Sequence, residues 1–241
     1  MLHNFHTHTY RCKHAEGDVE DYCRVAVEQG MSTLGFTDHT ALPDDRWVSL
    51  RMYYAELPEY SRAIDQARID FPSLRLLKGM ECEYIPEFHS FYQDELLGEF
   101  QFDYLIGGAH FFPDPGVDEG ASEDVDRWLN TYGGTNTSTM LRAYSDYVID
   151  MMRTGLFDFI AHPDLFGNCY LEWDSDTTAC SRDILSAAEE LNVGLEINAL
   201  GLRKIAYKKA DNPYPMYPWR PFWEEATDFD VEVIINSDAH R

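Results

Sequence analysis

Seven short apolar runs, separated by stretches of helical periodicity, limit what this chain can fold into more than any other feature of it. They lie near residues 2–5, 33–36, 74–80, 104–106, 157–161, 195–197 and 231–235. Runs such as Val231-Glu232-Val233-Ile234-Ile235 read as strands covered on both faces, as in a parallel sheet. Between them Val19, Tyr22, Cys23, Ala26 and Val27 keep helical spacing, with Asp18 placed as N-cap and Gly30 as a stop. Leu141, Tyr144, Val148, Ile149 and Met152 do the same between Ser138 and Gly155. Further helices are expected over 58–70, 88–100, 178–192 and 219–228. Two tracts are expected to be irregular excursions: 112–136, with Pro113, Pro115, Gly116 and Gly133-Gly134, and 208–221, with Pro213, Pro215 and Pro218.

Strands alternating with helices imply consecutive βα units around a parallel sheet. No GxGxxG or GxxxxGK[ST] phosphate loop is present, which favours a closed or nearly closed barrel over an open doubly wound sheet. The length of 241 residues suits a single barrel domain over 1–241. A seventh helix is expected after the last strand, yet the chain ends at Arg241, three residues after Asp238, so a truncated C-terminus is expected.

Charge and cysteines narrow the function classes. Lys plus Arg number 19 and Asp plus Glu 43, for a formal net charge of −24. Such a surface repels phosphate backbones and anionic membranes, so a general nucleic-acid partner is disfavoured. Five cysteines form no CxxC pair and fit a reducing compartment. The N-terminus shows no signal peptide and no run of 18 apolar residues occurs, so a cytoplasmic protein without membrane attachment is expected.

In a parallel α/β barrel the site lies at the C-terminal ends of the strands. There the sequence places His6-Thr7-His8, Asp38-His39, Glu81, His110, His162, Glu196 with Asn198, and Asp238-Ala239-His240. With His14 in the first loop, seven of the nine histidines fall on this rim, while His3 and His89 do not. Each residue alone reads as a packed or solvated side chain; their convergence reads as a metal site. Imidazole plus carboxylate suits Zn²⁺, Mn²⁺ or Fe²⁺. Nine side chains exceed what one tetrahedral ion with an open position needs, and suffice for two or three divalent ions. Clustered divalent ions clamp phosphoryl oxygens and generate hydroxide at neutral pH, so phosphate-ester hydrolysis is the first reaction class, with amide or lactam hydrolysis behind it.

His6-Thr7-His8-Thr9 with Cys12 and His14, Thr37-Asp38-His39, Gly79-Met80-Glu81, Gly108-Ala109-His110, Ala161-His162-Pro163-Asp164 and Ser237-Asp238-Ala239-His240 together resemble the PHP superfamily. The Glu16-Gly17 turn and the run Glu196-Ile197-Asn198-Ala199 with Gly201-Leu202-Arg203-Lys204 resemble its histidinol-phosphate phosphatase branch. The resemblance implies a distorted (β/α)7 barrel, a metal-dependent phosphomonoesterase and a small phosphorylated substrate. It further implies that His6, His8, Glu81 and Asp238 hold a first metal, and that Glu81 bridges to a second completed by His110 and His162. His14, His39 and His240 would hold a third. Glu83 lies two residues beyond Glu81, on the same face of a strand, and competes as a ligand; the resemblance selects Glu81.

Arg203 and Lys204, after the sixth strand, are candidate phosphate contacts, Arg203 bidentately. A hydroxide bridging the metals would attack phosphorus in line. Glu83, Asp164 and nearby tyrosines would form an acidic rim for the ammonium and imidazole of histidinol phosphate. The resemblance departs at Phe166-Gly167-Asn168, where that branch tends to carry a basic pair. The alternatives are another small phosphometabolite or nucleotide as substrate, or a catalytically silent metal-binding domain. The sequence sets no oligomeric state.

Overall fold

The seven apolar runs become the strands of one sheet. The computed structural model describes residues 2–116, 128–132 and 137–241. The sheet strands are β1 (Leu2–Asn4), β2 (Met31–Phe36), β3 (Arg75–Cys82), β4 (Tyr104–Gly108), β7 (Phe159–Ala161), β8 (Gly194–Asn198) and β9 (Val233–Asn236). Their order among the described residues is β1-β2-β3-β4-β7-β8-β9, the chain order expected of successive βα units. The pairs β1/β2, β2/β3 and β7/β8 are parallel, with Leu2 opposite Met31, Thr33 opposite Arg75 and Phe159 opposite Gly194. The helices are α1 (Val19–Glu28), α2 (Leu57–Asp70), α3 (Ser138–Arg153), α4 (Ser175–Leu191), α5 (Ala199–Ala206) and α6 (Arg220–Glu225).

Where structure and sequence reading differ, local chemistry explains it. The helix expected over 88–100 is a short turn, Pro86–Phe88, followed by a wide helix, Phe91–Glu99, whose end closes with Phe100 N–H on Glu95 C=O at 2.7 Å. That five-residue span is π-type, so α-helical spacing was the wrong template. Helix α5 was not anticipated; Asn198 starts it by accepting the Gly201 N–H at 3.0 Å. The tract 112–136 lies partly outside the described residues. Within it Phe112–Pro113 and Trp128–Asn130 are strand, because β5 (Phe111–Pro113) and β6 (Trp128–Asn130) form an antiparallel pair; the described residues 114–116 and 131–132 lie outside strands. The tract 208–221 is irregular up to the start of α6.

Contacts gather into two compact units, Met1–Ile106 with Asn236–Arg241, and Gly107–Ile235. In the first, Asn4 Oδ1 accepts from Ser237 N (2.7 Å) and Asn236 Oδ1 from Phe5 N (2.8 Å), so the end of β9 is stitched to β1. Thr7 and Ala239 then form a parallel bridge, with His8 N–H on Ala239 C=O at 2.9 Å. Tyr104 fills the interior beside them and donates to Phe5 C=O at 2.7 Å. A Cβ on Gly35 would come within 2.0 Å of its hydroxyl oxygen and one on Gly79 within 2.6 Å of its ring, so both positions need glycine. In the second unit α3 packs on α4, and Tyr144, fully buried, donates to Pro163 C=O at 3.0 Å.

Candidate metal centre

The chain beyond β1 carries His6 and His8, that beyond β2 carries His39, β3 contributes Glu81, and the chain beyond β9 carries Asp238 and His240. All belong to the first unit, and His6, His8, Glu81 and Asp238 are almost wholly buried. His6 Nε2 and His8 Nε2 are 3.1 Å apart. Glu81 Oε2 lies 3.5 Å from the first and 3.4 Å from the second, and Asp238 Oδ1 lies 3.5 and 3.2 Å from them. Metal–ligand bonds of ~2.0–2.1 Å put neighbouring tetrahedral donors ~3.3–3.4 Å apart. Every pair that involves a histidine therefore already stands near the spacing of ligands around one small divalent ion. Two anionic side chains and two imidazoles converging away from water make a donor set that fits a cation.

The electrostatics point the same way. Burial works against a charged His8, but Asp238, Cys12 and Glu81 hold its pKa well above the usual histidine value. Burial also works against Asp238 as an anion, yet His6, His8 and His240 hold it well below the usual carboxylate range. Asp238 adopts φ 46°, a left-handed conformation that side chains rarely adopt, held here by the bridge at Ala239.

His14 and His240 stack with ring centroids 4.9 Å apart, and His39 lies 5.3 Å from His14 and 6.5 Å from His240. His39 is drawn instead to Glu81, with Nδ1 2.8 Å from Oε2. Between His14 and His240 sits Cys12, fully buried, with one ligand atom from each of the three within 4.8 Å of the others. The Cys12 thiol is pulled down to about 4: burial alone would raise it, and His14, His240 and His8 outweigh that. The sequence signal for this group is the spacing of two between Cys12 and His14.

Two expected rim carboxylates are engaged elsewhere. Glu83 is buried against buried Arg51, with Oε2 2.8 Å from Nη1. It lies past the end of β3, and the strand alternation that would align it with Glu81 has ended there. Asp164 is buried in the second unit and accepts from Trp219 N and from Trp223 Nε1, the latter at 3.0 Å. Burial raises it to about 7, although these donors pull it back. Both carboxylates expected on the acidic rim are thus buried. Asp38, also fully buried, accepts from Thr9 N (2.9 Å) and Thr9 Oγ1 (2.7 Å). Burial lifts it to about 7, opposed by His8 and Thr9.

In the second unit the His110 and His162 rings meet edge to face at 4.8 Å. His162 N–H donates to Glu196 Oε2 (3.2 Å), which Asn198 Nδ2 also reaches at 2.8 Å. Lys204, on α5, places Nζ 3.1 Å from Tyr217 OH, and that ring lies 5.5 Å from the His162 ring. Arg203 beside it is exposed. At the Phe166-Gly167-Asn168 departure, a Cβ on Gly167 would meet Met216 O at 2.5 Å, and Met216 N–H donates to Gly167 C=O at 2.8 Å. The loop after α5 occupies the space a larger side chain would need.

A family model described as the PHP domain matches residues 4–200. The chain belongs to the PHP domain family. A relative from Deinococcus radiodurans named "Probable histidinol-phosphatase" is 30% identical over 98% of this PHP chain and 85% of its own length. A crystal structure from Listeria monocytogenes, whose assignment as a histidinol phosphatase is itself provisional, aligns with TM-score 0.74 at 20% identity, covering 99% of this chain and 95% of the other. The histidinol phosphate phosphatase of Lactococcus lactis, solved with zinc, L-histidinol and phosphate, aligns with TM-score 0.67 at 17% identity, covering 99% and 86%. The fold is therefore the (β/α)7 barrel with parallel strands that the PHP resemblance implied. Among the described residues no helix is long and apolar enough to cross a membrane.

Proposed function

We propose that this PHP protein is a metal-dependent phosphomonoesterase that hydrolyses histidinol phosphate to histidinol and phosphate. The observation that carries the reading is the spacing of His6, His8, Glu81 and Asp238, donors separated by 3.1–3.5 Å in the pairs that involve either histidine. The 30% identical relative named for the same activity, and the Lactococcus protein's histidinol, phosphate and zinc, support the substrate. Divalent ions in such a centre clamp phosphoryl oxygens and acidify water.

His6, His8, Glu81 and Asp238 hold a first ion. The His110–His162 pair contributes to a second, with Glu196 fixing the His162 backbone. His14, His39 and His240 are the candidate ligands of a third, and zinc, manganese or iron suits these donors. Lys204, anchored on Tyr217, is better placed than exposed Arg203 to meet the phosphate. Five buried free thiols fit a reducing compartment, and we place the reaction in the cytoplasm.

The test is kcat/KM of metal-loaded protein for histidinol phosphate, a neutral sugar phosphate and a nucleotide. We expect a preference for histidinol phosphate of at least ~10-fold. Turnover without that preference moves the protein to another phosphometabolite, a reading the Phe166-Gly167-Asn168 departure favours. Metal binding with no turnover of any ester leaves a silent metal-binding domain.

A further inference from the structure

We propose that Cys12 is a metal ligand, its sulfur completing with His14 and His240 a position suited to zinc. This rests on the reading that divalent ions fill the histidine cluster of the first unit, and adds a donor of a different class to it.

The two imidazoles are oriented for the task. His14 Nδ1 lies 2.7 Å from Cys12 C=O and His240 Nδ1 lies 3.0 Å from Asp238 C=O. A carbonyl only accepts, so each Nδ1 carries the proton and each Nε2 keeps its lone pair for an ion. The loop that carries Cys12 and His14 is pinned to His240, because Glu16 N–H donates to His240 C=O at 2.8 Å. A tight turn over Tyr10–Cys12, closed by Lys13 N–H on Tyr10 C=O at 2.9 Å, fixes Cys12 itself.

A second observation points at the same spot. His8 is buried, and His8, Cys12 and Asp38 each offer a ligand atom within 4.8 Å of the others. Imidazole and carboxylate donors thus surround one buried thiol. Cys23, Cys82, Cys169 and Cys180 join no such group among the described residues. The sulfur binds as thiolate: the thiol proton passes to the buffer and a sulfur lone pair forms the bond to the ion. A thiolate donor favours zinc over manganese, which prefers oxygen ligands.

The experiment is titration of metal-free protein with cobalt(II) under reducing conditions, read by absorption. The wild type should show visible ligand-field bands together with a near-ultraviolet sulfur-to-cobalt charge-transfer band. Cys82→Ala should keep that band and Cys12→Ser should lose it while keeping the ligand-field bands. One bound equivalent should weaken at least ~10-fold in Cys12→Ser. Ligand-field bands without a charge-transfer band in the wild type, or a band that survives in Cys12→Ser, overturn the sulfur ligand and leave the metal centre standing. No cobalt bound at all overturns the metal reading beneath it. Should Cys12→Ser not fold, X-ray absorption of the zinc-loaded wild type decides the matter: a sulfur shell at ~2.3 Å supports the proposal and a shell of only nitrogen and oxygen refutes it.

Discussion

Glu81 Oε2 and His39 Nδ1 stand 2.8 Å apart, and the same carboxylate oxygen lies 3.4 Å from His8 Nε2 and 3.5 Å from His6 Nε2. One oxygen on β3 thus faces imidazoles from the ends of two other strands. Removing its charge while keeping its shape, in Glu81→Gln, should lower kcat/KM at least ~100-fold, as expected when a main electrostatic contributor is lost. Metal content should fall in step. Steady-state kinetics with metal analysis checks this, and near-normal values of both would move the central carboxylate elsewhere.

Glu83 should behave quite differently. Glu83→Gln leaves buried Arg51 without its carboxylate, which typically costs about 3–5 kcal/mol of stability. Urea unfolding should show that loss, while metal content and kcat per folded molecule stay within a few-fold of wild type. A loss of metal without a loss of stability would return Glu83 to the ligand set.

Asp164 supplies a pH dependence with a definite sign. Its folded pKa is raised by burial from 3.8 to about 7, so the folded state binds the extra proton. A carboxylic acid raised on folding costs stability as pH climbs from about 4 to about 7, the reverse of a salt-bridged Asp. In metal-free protein, Asp164→Asn should flatten the decline in stability across that window. Thermal melts at a series of pH values test it, and an unchanged slope would contradict the burial argument.

Metal binding should release protons. His8 is held charged above its usual range by Asp238, Cys12 and Glu81 against the opposing effect of burial, and an ion taking its lone pair must displace that proton. Affinity for zinc should therefore rise with pH through neutrality. Calorimetry in buffers of different ionisation enthalpy counts the protons; a count of zero at neutral pH would mean that His8 is already neutral.

Lys204 and Arg203 make a matched pair of substitutions. Lys204 reaches Tyr217 OH at 3.1 Å, next to the His162 ring, whereas Arg203 is exposed. Lys204→Met should raise KM for phosphomonoesters about 10-fold, in line with one lost charged contact, and Arg203→Ala should change it little. The reverse order would restore Arg203 as the phosphate contact.

The strand framework and the positions of the donors were legible because both follow from local rules. Apolar runs set the strands, and barrel logic then placed His6, Glu81 and Asp238 at one end. Helix α5 escaped because its start depends on one side-chain contact, Asn198 with Gly201, and not on hydrophobic spacing. The fates of Glu83 and Asp164 escaped because they depend on distant partners: Arg51 lies 32 residues from Glu83, and Trp219 lies 55 from Asp164. Cys12 escaped because an isolated cysteine reads as a small apolar side chain until its histidine neighbours are known.

The most direct measurement is turnover of histidinol phosphate before chelation, after removal of all metal, and after stepwise return of zinc or manganese to the same preparation. Activity should vanish in the metal-free protein and return only as more than one equivalent per chain is restored. Full turnover by metal-free protein, or an intact fold that takes up no metal, would contradict the hydrolytic metal centre.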